Sequence, residues 1–168
     1  LQMTTYQDVL KFWFETMYNY DKWFYSSSVY DKYIRTKFRG LLRRAQKGYC
    51  LDWVSSPESY VAFAILVNRF PKFLYRGTAK AFQFDKLCIL FLEMGFDLHY
   101  HKLPLEHKIF VLLPYQNMEC SLEQEFAVKE LRKLMRLERV SFQKKTFLRR
   151  ALELHLDSQQ IIQKFGRF

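Results

Sequence analysis

Asn68, Arg69, Lys72, Arg76, Gly77, Thr78 and Lys80 gather polar and cationic groups around one predicted corner of the chain. A helix opening at Thr78 would present free N–H groups and partial positive charge, which hold anions. Lys72, Arg76 and Lys80 would add charge, and Gly77 would let the backbone approach a ligand closely. The competing reading is structural: Thr78 caps the helix, and Arg76 pairs with a carboxylate such as Asp85 or Glu119. A second set is His99-Tyr100-His101 with Glu106-His107. If that segment is extended, His99 and His101 point the same way and suit a zinc-like ion. Its competitor is a solvated loop, and no metal is expected.

Two basic stretches form a third set. One carries Lys32, Arg35, Lys37, Arg39, Arg43, Arg44 and Lys47; the other carries Lys129, Arg132, Lys133, Arg136, Arg139, Lys144, Lys145, Arg149 and Arg150. Brought to one face they would make a phosphate-binding stripe, and left apart they are solvated helix faces. No RNA-binding signature with exposed paired aromatics is present, so nucleic-acid binding would be led by shape. Ser26-Ser27-Ser28 reads as a helix cap, since no His or Asp partner completes a nucleophilic motif. Cys50, Cys88 and Cys120 have no paired-His motif and read as small buried residues.

The whole chain bounds these options. Its 168 residues suit one domain over 1–168, and 49% hydrophobic and 18% aromatic content supply a core. A net charge of +10 favours acidic partners: nucleic acid, anionic membrane or an acidic protein surface. The three scattered cysteines argue against a disulfide framework and point to a reducing, intracellular and cytoplasmic setting. No apolar run approaches the ~20 residues that span a bilayer. The start lacks a secretory pattern. Met3 is the expected natural start, with Leu1 and Gln2 an added remnant.

Helical periodicity dominates the elements. Thr4 or Thr5, with Gln7 or Asp8, caps a first helix whose core face is Val9, Leu10, Trp13, Phe14 and Met17. Trp23-Phe24, in the connector that follows, reads as a plug under the next helix. Ser28 and Asp31 open a second helix that ends at Gly48. Ser56-Pro57 opens a third, apolar nearly all round from Pro57 to Phe70, which marks it as central. Pro71 is expected to stop it and Thr78 to cap the next, closed by Gly95. Leu98 to Leu103 is expected as a loop. Further helices follow from Pro104 to a stop at Pro114, from Ser121 with Gln124, and from Ser141 to Gly166. The aromatics at Phe12, Trp13, Phe14, Trp23, Phe24 and Trp53 read as core. Strand alternation is not sustained anywhere. The fold class is all-α, about seven helices in stacked hairpins, with no clean internal period.

Lys11-Phe12-Trp13-Phe14, Lys22-Trp23-Phe24, the link from Gly48 to Trp53 and above all the run from Asn68 to Phe82 resemble the uncharacterised family known as domain of unknown function 924. Leu113-Pro114-Tyr115 with Glu119 and Gln124-Glu125 is similar to its later motif, and Ile161-Ile162 through Phe168 to its C-terminal one. The resemblance implies a TPR-like α/α superhelix and no established reaction. Where the family reads Asp-Gln-Phe-Pro-Arg-Asn, this chain has Asn68, Arg69, Phe70, Pro71, Lys72 and Phe73. Where it reads Met-His-Ser-Glu, here stand Gln116, Asn117, Met118 and Glu119; where it reads His-x-Asp, here stand Ser158, Gln159 and Gln160. The family's polar positions imply an acid and imidazole pocket able to bind a metal or move protons, and this chain lacks that equipment. The family also continues beyond the Phe-Gly-Arg-Phe at which this sequence ends. The leading expectation is a non-catalytic helical scaffold with no cofactor, binding a protein or acidic partner. Nucleic-acid binding comes second, and a hydrolase or metal-dependent enzyme with an altered site third.

Overall fold

A computed structural model describes residues 3–25, 27–137 and 139–168. Its helices are α1 (Tyr6–Lys11), α2 (Ser28–Gln46), α3 (Pro57–Ala64), α4 (Phe70–Leu74), α5 (Asp85–His99), α6 (Leu105–Leu112), α7 (Ser121–Met135) and α8 (Phe142–Phe165). A π-turn, Ile65–Arg69, joins α3 to α4 without a break, so the described elements amount to seven rods. The described residues contain no strand, and the fold is all-α. They fall into two compact units, Leu1–Lys102 and Leu103–Phe168.

In the first unit the rod from α3 to α4 is the core. Tyr60 to Val67 are all fully buried, as an all-round apolar sequence requires. Helices α1, α2 and α5 pack against it. Phe63 stacks on Phe91 of α5 with ring centroids 3.7 Å apart, and Phe38 of α2 packs on Phe70 at 4.9 Å. Thr5 and Asp8 form the expected capping box, the Thr5 N–H donating to Asp8 Oδ2 at 2.8 Å. A second π-turn, Phe12–Thr16, follows α1. There Met17 N–H reaches back to the Phe12 carbonyl, which leaves the Trp13 carbonyl open. The buried Trp23 indole donates to it at 3.0 Å, so Trp23 packs on the end of the first rod, whereas the sequence suggested a plug under the second. Phe12 and Trp13 are buried too, while Phe14, Phe24 and Trp53 are half-buried.

Several expected boundaries move. Pro71 does not stop the third helix. In a regular α-helix its ring would strike the carbonyl four residues back. The π-turn widens the rod just upstream and the chain passes Pro71 into α4. Thr78 does not cap the following helix, which begins at Asp85; Thr78 instead opens a single 3₁₀ turn, Ala79–Ala81. Gly95 does not close α5 but lies inside it, where a Cβ would sit 2.9 Å from the Tyr60 ring. It is there for close packing rather than for termination. The expected loop after Leu98 is the end of α5 and a 3₁₀ turn, Tyr100–Lys102. Ser27, not Ser28, holds the cap position of α2, and Ser26 lies outside the described residues.

The second unit is built from α6, α7 and α8, with α7 packed along α8. Pro114 likewise does not end α6, which tightens into a 3₁₀ turn, Leu113–Asn117. Cys120, not Ser121, occupies the cap position of α7 and is exposed rather than buried. Ser141 caps α8 by accepting from the Lys144 N–H, and Gly166 ends that helix with φ +74°.

Candidate functional site

The π-turn that carries the rod past Pro71 turns Asn68 and Arg69 inward, both buried. Asn68 Nδ2 donates to Asp85 Oδ1 at 2.8 Å. Lys72 Nζ donates to both Asp85 oxygens, at 2.8 and 3.0 Å, and to the Ala81 carbonyl at 3.2 Å. Arg69 Nη2 donates to the Trp23 carbonyl at 2.8 Å, and its guanidinium lies 5.8 Å from the Phe24 ring centroid. Burial pulls the Arg69 pKa down to about 10, against the opposing pull of the Asp85 charge. Burial also lowers that of Lys72, with Asp85 again opposing. One carboxylate therefore faces a buried cation, Arg69, and a half-buried one, Lys72. Among the described residues, Asn68 Oδ1 and Arg69 Nε find no partner. Asp85 thus offsets part of the positive charge that Lys72 and Arg69 bring inside the first unit.

The corner beyond it is differently made. Arg76 pairs with Asp31 of α2 at 3.2 Å, not with Asp85 or Glu119, because Asp85 is occupied by Lys72. Arg76 also lies over the Phe73 ring. Gly77 takes φ +72°, which only glycine adopts without strain. The Thr78 hydroxyl donates to the Tyr75 carbonyl at 2.7 Å, closing the turn on itself. Lys80 is exposed. No long helix starts at Thr78 to present the row of free N–H groups expected there.

His99 does not share a ligand with His101. It is helical, buried and bound through Nε2 to the Val54 carbonyl at 2.6 Å, while His101 is exposed on the next turn. His107 lies on α6 in the second unit.

Asn117 and Glu119 stand before α7 in that second unit. Asn117 Nδ2 is buried without a described partner, and Glu119 Oε1 accepts from the Phe168 N–H at 3.0 Å. Gln124 is buried and reaches back to the Met118 carbonyl at 2.7 Å. Ser158 and Gln160 lie on α8. Asn68 thus belongs to one unit, and Asn117, Ser158 and Gln160 to the other.

The basic stretches are helix faces. Arg35, Arg39, Arg43 and Arg44 are exposed along α2. In the second unit a groove of about 500 Å³ runs between α7 and α8. Lys129, Arg132, Lys133 and Arg136, with Glu125 and Val128 at the start of the row, form one wall, and Gln159 and Gln163 face them from α8. Spacings of three and four residues place these cations on one helix face. Arg136 also lines a second hollow, of about 670 Å³, with Arg139 and Lys144. Lys133 is paired with Glu130 and Lys144 with Glu106; among the described residues Lys129, Arg132, Arg136 and Arg139 make no ion pair. The sequence supplied the cations, but gave no sign that two glutamines would close the groove. It likewise gave no sign that Asp85 would be the partner of Lys72.

An all-α protein with its polar motif paired inside the first unit and a cationic groove on its surface is the class that these features define. The family "Bacterial protein of unknown function (DUF924)" matches residues 9–168, and the chain belongs to it. A solved structure of a protein of unknown function, ATU0120 from Agrobacterium tumefaciens, superposes with a TM-score of 0.82 at 24% identity. It covers 97% of this chain and 85% of its own, and at that identity it speaks for the fold alone. No curated protein matches the chain.

Proposed function

We propose that this protein is a non-catalytic binding module that takes an acidic protein segment in the groove between α7 and α8. The observation behind this reading is the row Lys129, Arg132, Lys133 and Arg136, cationic along one wall and continued by Arg139. The row spans roughly 10 Å, two turns of helix, which suits a partner with carboxylates at matching spacing. The Gln159 and Gln163 amides add hydrogen-bonding capacity to the other wall. The absence of catalysis is read from Asn68 and Asn117, whose amides do not titrate where the resembling family has an acid and an imidazole. The frame is read as helix hairpins of the TPR kind over residues 1–168, in a cytoplasmic setting consistent with unpaired Cys50, Cys88 and Cys120.

Fluorescence polarisation with a labelled acidic helical peptide tests this. Binding at low salt that fades as salt rises is expected, because the contacts are exposed ion pairs. No binding at low salt rejects the reading. Nucleic acid is the second reading, favoured by the continuation of the row through Arg136 into the second hollow. An oligonucleotide that binds more tightly than the peptide, with an affinity falling linearly on a log salt scale, would select it.

A further inference from the structure

The first unit holds a hollow of about 380 Å³ that takes no part in the basic groove. Its walls come from the segment before α1 and the first turn of α1, the end of α2, the turn Leu51–Ser55 and the start of α3. Its volume lies at the small end of ligand pockets, which run ~300–1,000 Å³. Two opposite charges line it, Arg44 and Asp52. They form no ion pair with each other, and among the described residues neither pairs with any other charged group. Burial pushes up the pKa of the Cys50 thiol, also in the lining, while Arg44 favours its ionisation and Asp52 opposes it. Both charges thus face one hollow without pairing.

Arg44 Nη1 instead donates to Met3 Sδ at 3.3 Å. A thioether is a weak acceptor. A carboxylate in its place would take two charge-assisted hydrogen bonds from the guanidinium fork. Beside the charges, Tyr6 and Trp53 meet edge to face with ring centroids 5.8 Å apart and supply an aromatic wall.

We propose that this hollow binds a free α-amino acid, its carboxylate on Arg44, its ammonium on Asp52 and its side chain against Tyr6 and Trp53. A dianion would be repelled by Asp52 and a simple cation by Arg44. A purely apolar molecule would desolvate both charges without replacing their water. Only a ligand carrying both signs satisfies both walls.

The test is a calorimetric titration of the full chain with each of the twenty free amino acids, its N-acetyl derivative and its amide. Saturable binding of at least one free amino acid is expected. Its N-acetyl derivative, lacking the ammonium, and its amide, lacking the carboxylate, should each bind about tenfold or more weakly. Arg44→Gln and Asp52→Asn should each cost a similar factor with unchanged far-UV circular dichroism. Asp52→Asn should leave the N-acetyl derivative unaffected. Should Arg44→Gln fail to fold, Asp52→Asn and the two derivatives carry the decision. Failure of all twenty to bind, equal binding of the derivatives, or binding untouched by Asp52→Asn would each overturn the proposal. The acidic-peptide reading of the α7–α8 groove stands or falls separately, since these variants lie in the other unit.

Discussion

Lys72 Nζ donates to both carboxylate oxygens of Asp85, across a helix rod and a turn, in a place where their side chains are only 14% and 4% exposed. Breaking such a pair leaves a buried charge uncompensated, which costs about 3–5 kcal/mol. Asp85→Ala is the harsher change, because it strands Lys72 and removes the partner of Asn68 and the counter-charge to Arg69. Urea unfolding should show a loss in that range for Asp85→Ala. It should also show a double variant, Lys72→Met with Asp85→Leu, more stable than the sum of its parts. Strictly additive losses below about 1 kcal/mol would remove the pair from the account of the core.

Two glycines inside helices should respond in opposite directions. A Cβ at Gly95 would meet the Tyr60 ring at 2.9 Å and Val54 Cγ2 at 3.0 Å, against packed side chains. Gly95→Ala should therefore lower stability by about 1–3 kcal/mol. Gly40 lies within α2 with nothing inside 4 Å of its Cβ position. Gly40→Ala should raise stability by about 0.5–1 kcal/mol through helix propensity. Thermal melting of the two variants settles both signs.

His155 is fully buried, with Nδ1 2.8 Å from the Ala151 carbonyl and Nε2 3.0 Å from the Leu112 carbonyl. A neutral imidazole has one N–H and serves only one of them. Burial holds its pKa below the ordinary 6.5, against the two backbone hydrogen bonds. The native state thus binds fewer protons than the unfolded chain in mildly acidic solution. The stability tied to His155 is complete above about pH 6.5 and is lost as pH falls towards its folded pKa. Melting temperatures from pH 7.5 to 5 should drop, and His155→Gln should flatten that slope. An equal slope in the variant would place the acid sensitivity elsewhere.

Arg132→Glu with Arg136→Glu should abolish acidic-peptide binding while leaving the fold intact, since both side chains are exposed. Surface substitutions of this kind usually change stability by less than about 0.5 kcal/mol. Retained affinity in the double variant would move the binding surface away from α7.

The residues alone determined the helical class, the central rod from Pro57 to Phe70, a capping box at Thr4 or Thr5, and the stop at Gly166. Each follows from local causes: periodicity, side-chain capping or the freedom of glycine. Family membership was legible for a related reason, since motifs such as Phe70-Pro71 are local strings. Tertiary structure decided whether Pro71 ends a helix, because a π-turn upstream absorbs its ring and local rules do not foresee that turn. It decided that Gly95 packs rather than terminates, because the reason is a ring on another helix. It also chose Asp31 for Arg76 and Asp85 for Lys72. Partners distant in sequence are set by how rods pack, and packing depends on every surface in contact at once.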